Sequence, residues 1–112
     1  MSTQDEARTF ALSLPEVTQG EHHEMTAYRV RNKIFATVPD PGHLRVMVAE
    51  PEVTAAVAED PAACAPLYWG TRLAGVVVEL KAVRTELVYE LLTEAWVRKA
   101  PPALARSHLG DE

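Results

Sequence analysis

The stretch TAYRVRNKIFATVPDPGHLRVMVA, residues 26–49, leaves a chain of this kind few choices. Its apolar residues alternate with polar ones at the two-residue period of a strand. Turn residues interrupt the alternation twice: Arg31-Asn32-Lys33, where Asn accepts the positive φ of a two-residue hairpin, and Pro39-Asp40-Pro41-Gly42. Three consecutive antiparallel strands are therefore predicted. Tyr28, Val30, Ile34, Ala36, Val38, Leu44, Val46 and Val48 share one apolar, core-facing side. Arg29, Arg31, Phe35, Thr37, Arg45 and Met47 share the other, which is too polar for a core and too apolar for an ordinary solvated surface.

The flanking sequence supplies the cover. Ala7, Phe10, Ala11 and Leu14 recur at helical spacing, with Thr3 as the cap, Asp5 and Glu6 in the first turn and Pro15 as the stop. Residues 16–25, with Gly20 at the bend, are expected as a loop. Glu50-Pro51-Glu52 opens a second helix carrying Val53, Ala56 and Val57, and Pro61 closes it. Residues 62–66 are expected as irregular connection. Leu67-Tyr68-Trp69 and residues 74–80 then form a fourth and a fifth strand about Gly70-Thr71-Arg72, with Val76, Val78 and Leu80 toward the core and Val77 and Glu79 on the arginine side. Val88, Leu91, Leu92, Ala95 and Trp96 define the last helix, with Glu86 in its first turn, Arg98 and Lys99 in its last, and Pro101-Pro102 as the stop. The order α-β-β-β-α-β-β-α predicts an α+β fold in two layers, an antiparallel sheet with helices on one face and the other face open. Residues 1–102 are expected as a single domain and residues 103–112 as a poorly ordered C-terminal tail.

A chain of 112 residues, 47% of them hydrophobic, is long enough to bury a core without disulfides or metal. The single Cys64 allows no internal disulfide and is expected as a small buried side chain. The opening MSTQDEAR lacks the basic-then-apolar pattern of a signal peptide, and no apolar run approaches the roughly 18 residues of a membrane span. A soluble, cytoplasmic protein with no membrane partner is expected.

Net charge is −5, unevenly spread. Residues 1–24 and residues 50–60 each sum to −4, whereas residues 25–49 sum to +3 and residues 72–84 to +2. The strands are basic and the helices acidic. His22 and His23 are adjacent and so point to opposite sides of an extended chain; with no H-x-x-x-H spacing and no Cys partner, no metal site is predicted. No Ser-His-Asp order, Gly-rich phosphate loop or paired carboxylates appear, so neither an enzyme nor a cofactor is expected. Candidate binding residues are Arg29, Arg31, Lys33, Phe35 and Arg45 on the open face, joined by Trp69 and Arg72.

Leu14-Pro15-Glu16-Val17-Thr18 followed by Gly20 and His22, then residues 28–36, then Glu94-Ala95-Trp96 with Ala100-Pro101, resemble the MmcQ/YjbR family of small bacterial proteins. Asn32 stands where that family often has Gly, and Ala74-Gly75 where a Trp commonly begins the fifth strand. The resemblance implies an α-β(3)-α-β(2)-α fold like that of secretion chaperones and a DNA-binding role, and it offers no catalytic residues to carry over; one namesake is associated with resistance to the drug mitomycin. The clustered arginines suit phosphates, while a sequence pI near 5.3 opposes a dedicated DNA-binding domain, for which values above about 9 are usual. The mixed apolar and basic face fits a small-molecule or protein ligand equally, or a homodimer that buries it, leaving monomer and homodimer both open.

Overall fold

The predicted three-strand run forms the middle of a larger sheet. The structure, a computed structural model, describes residues 4–110. Its strands are β1 Val17–His22, β2 Met25–Val30, β3 Lys33–Asp40, β4 His43–Val46, β5 Cys64–Trp69 and β6 Arg72–Glu79, in the order β1-β2-β3-β4-β6-β5 with every neighbour antiparallel. Helices α1 Gln4–Ser13, α2 Glu50–Glu59, α3 Thr85–Lys99 and α4 Pro102–Gly110 complete the chain. Thr3, the expected cap of α1, lies outside the described residues. The α+β architecture with an antiparallel sheet is as expected.

The hairpins follow from their residues. Arg31 and Asn32 take φ of 50° and 69° between the paired Val30 and Lys33, a two-residue turn whose twist suits the flanking strands. At the next turn the Asp40 carboxylate accepts from the Gly42 amide at 2.8 Å and lies 2.9 Å from the His43 ring. That contact, with the Gly42 amide, holds the Asp40 carboxyl below its usual value.

One core joins the layers. Leu87, Val88, Leu91, Leu92, Ala95 and Trp96 of α3 are buried against Tyr28, Val30, Ala36, Leu44, Val46, Val76 and Val78 of the sheet. The Trp96 ring N–H donates to the Pro15 carbonyl at 3.0 Å, tying α3 to the chain between α1 and β1. A second, small cluster of Met47, Leu67 and Ala74, with Val77 against it, lies apart from this core.

Four expectations are corrected. Residues 16–25 contain a strand, β1, fully paired with β2 from Val17↔Val30 to His22↔Met25. As an edge strand it buries little of its side chains, so it is held by backbone hydrogen bonds and carries almost no apolar alternation. The irregular connection ends at Ala63, because β5 starts at Cys64, opposite Val78. In the expected tail, α4 forms from Pro102 to Gly110, with Ala105 buried and the His108 ring 5.0 Å from that of Trp96; the last two residues lie outside the described ones. Finally, the register of β2 and β3 shifts between Tyr28↔Ala36 and Arg29↔Ile34, leaving Phe35 as an extra residue. Phe35 turns into the core, 0% exposed, while Ile34 comes out of it beside Arg29.

Candidate functional site

A cleft of about 740 Å³ lies across the middle of the sheet. Cross-strand pairing builds its floor. Thr37 of β3 sits opposite Arg45 of β4, and Arg45 sits opposite Val77 of β6, so these side chains share the face that the main core does not use. Ile34 and Met47 continue the floor, with Leu73 and Ala74 of β6. His22, His23 and Met25, from the hairpin joining β1 to β2, form one wall. Trp69 and Arg72, at the ends of β5 and β6, form another. The last turn of α3 closes the site where β4 leaves the sheet: Arg98 donates to the Met47 carbonyl at 3.2 Å, and both Arg98 and Lys99 line the cleft.

The charge is one-sided. Arg45, Arg72, Arg98 and Lys99 line the cleft and no carboxylate does. Among the described residues none of the four has a carboxylate oxygen within 4.0 Å; Arg45 instead lies 3.8 Å from the Met25 sulfur, and Arg72 sits over the Trp69 ring, 5.7 Å from its centroid. Burial pushes the Lys99 amine below its ordinary value, and the charges of Arg98, Lys33 and Arg72 push it the same way. Cations at a helix C-terminus are favoured by the dipole, which accounts for Arg98 and Lys99 on α3 but not for Arg45 or Arg72.

One polar atom in the cleft stands out. Thr37 is 4% exposed, and its Oγ1 is buried with no hydrogen-bond partner among the described residues. Nearly all buried polar groups are paired, so this hydroxyl is an exception within the floor of the cleft.

The residues singled out from the sequence divide here. Arg45, Trp69 and Arg72 come together in the cleft. Arg29 does not line it; its guanidinium reaches across β1, past Gly20, to donate to the Glu21 carbonyl at 3.2 Å. Arg31 is not on the strand face at all, because it occupies the turn, where it forms a two-bond ion pair with Glu16, one bond being 3.0 Å. That pair holds the Glu16 carboxyl below its usual value. Lys33 begins β3 outside the lining, and Phe35 is in the core. His22, His23, Thr37, Arg98 and Lys99 were not among the expected binding residues. The helix-terminal cations carried a dipole signal that masked them, and the histidines lay in a segment with no strand signature.

Cys64 sits apart from the cleft, in the core, and burial with the nearby Asp60 charge pushes its thiol up to about 11, so it is inert as a nucleophile at neutral pH. The His22 and His23 rings meet edge to face at 4.1 Å, and among the described residues no three His, Cys, Asp or Glu side chains converge. No helix of the described residues is long and apolar enough to cross a membrane.

A family model described as YjbR matches residues 12–98. Among solved structures, the chain is similar to the Deinococcus radiodurans protein DR2400, described as carrying the domain DUF419, with a TM-score of 0.76 and 24% identity over 98% of this chain and 89% of that one. No curated protein matches.

Proposed function

The chain belongs to the YjbR family, and from that premise we propose that it is a non-enzymatic binding domain that holds an anionic ligand in the cleft on the open face of its sheet. The observation that carries the reading is the convergence of Arg45, Arg72, Arg98 and Lys99 on one concavity that no carboxylate lines. Like charges gathered on one concavity repel, and a bound anion relieves that cost; the guanidinium forks suit carboxylate or phosphate oxygens. The cleft volume of about 740 Å³ falls in the range of small-molecule sites, roughly 300–1,000 Å³.

DNA binding, which the family resemblance implies, is the second reading, favoured by the half-exposed Trp69 beside Arg72 as a stacking platform. Against a duplex track stands the pairing of three cations outside the cleft, Arg8, Arg31 and Arg84, with carboxylates. Salt dependence separates the two. With inorganic pyrophosphate and a short DNA duplex as probes, the cleft reading expects pyrophosphate to bind and the duplex to bind weakly, with a log–log salt slope no steeper than about −2. A duplex that binds more tightly than pyrophosphate, with a slope of about −4 or steeper, would transfer the function to DNA.

A further inference from the structure

We infer that the occupant of the cleft is a compact flat-ring acid, an aromatic or conjugated body linked to a carboxylate or phosphate; this rests on the anion-binding reading and specifies its ligand. Charge alone does not explain the lining. Between the cations lie Met25, Ile34, Met47, Leu73 and Ala74, an apolar floor that an inorganic anion would leave without a partner. Trp69 stands beside this floor with 51% of its surface exposed, a large aromatic group kept in water at the mouth of an apolar cavity. A ring in the ligand covers both. Tryptophan presents its face to another ring, and methionine sulfurs make favourable contacts with ring edges while their flexible chains adapt to its shape.

Thr37 supplies the independent observation. Its side chain is buried next to Arg45 in the floor, and its hydroxyl has no partner among the described residues. A hydroxyl donates and accepts, so a ring carbonyl, ring nitrogen or acid oxygen of the ligand completes it once rotation of the side chain turns the buried Oγ1 toward the cleft. The acid then lies against Arg45, Arg98 and Lys99, and protonation of Lys99 becomes easier once a negative charge is beside it. A compact molecule is favoured over a polymer because the cations converge on one concavity, while Arg31 at the neighbouring turn is taken up by Glu16.

The test is a set of titrations followed by amide chemical shifts, with naphthalene-2-carboxylate, 2-naphthylmethanol, inorganic phosphate and an oligothymidylate of about a dozen nucleotides as probes. Naphthalene-2-carboxylate is expected to shift the amides of Thr37, Met47 and Ala74 saturably and to bind about tenfold or more tighter than either the alcohol or phosphate. Replacing Trp69 by Ala should cost the naphthoate about fivefold or more and leave phosphate unchanged. If naphthoate binds no tighter than phosphate, the ring is wrong while the anion site stands. If no anion binds, both readings fall. If the oligothymidylate binds tenfold tighter than naphthoate, the occupant is a nucleic-acid strand and the inference is overturned.

Discussion

Thr37 shows how much one side chain can say. A buried hydroxyl without a partner costs roughly 1–3 kcal/mol, and Val has nearly the same shape without that cost. Thr37→Val is therefore expected to raise the unfolding free energy by about 1 kcal/mol in denaturant titration, while weakening binding of an anionic probe; a fall in stability of that size would mean the hydroxyl is satisfied in solution. Ile34 and Phe35 are the second case. Strict alternation puts Ile34 inside and Phe35 outside, and one extra residue opposite Tyr28 and Arg29 reverses both. Nothing in the residue types betrays a bulge, since Ile and Phe are each at home in a core. Phe35→Ala is expected to cost about 3–5 kcal/mol and Ile34→Ala less than about 2 kcal/mol, and equal losses would put the bulge elsewhere.

At the scale of elements, legibility tracks how each element is held. β4 and α3 bury a regular side-chain pattern, and β2 and β6 keep their core residues Tyr28, Val30, Val76 and Val78 at alternate positions, so their residues announce them. β1 is held by its ladder to β2 and by the Glu16 and Arg31 pair at its start, neither of which has an alternating signature. The residues that carry the family resemblance work in the same way: Pro15 offers the carbonyl that Trp96 binds, and Glu16 braces the hairpin turn, so they secure the frame rather than the cleft. Gly75 is another such device. A Cβ built there would lie 2.1 Å from the Val46 carbonyl oxygen, a backbone atom that cannot rotate away, so the glycine is what lets β6 approach β4 at the point where β4 ends. Gly75→Ala is expected to destabilise the domain by about 1–3 kcal/mol or more, read as a lower denaturation midpoint, whereas Gly70→Asn at the open hairpin turn, where φ is +65°, should be nearly silent. A tolerated Gly75→Ala would mean the two strands sit further apart.

For the whole molecule, the charge layout matters more than the total. A chain with a net charge of −5 gathers four cations into one concavity and pairs several of the others with acids. The basic character of the strands and the open face were legible from sequence. The cleft was not, because it needs the β1 hairpin, the end of α3 and the β5–β6 turn to meet, and those meetings lie far apart along the chain. The central claim is that this cleft is the anion site. It is tested most directly by following backbone amide shifts while inorganic pyrophosphate is added to the parent and to the Arg45→Gln, Arg98→Gln double variant. The account predicts saturable shifts confined to the cleft-lining parts of β3, β4 and β6 and the last turn of α3, weakened about tenfold or more in the variant, whose fold is unchanged. Shifts centred on the Arg31 turn, or equal binding by parent and variant, would contradict it.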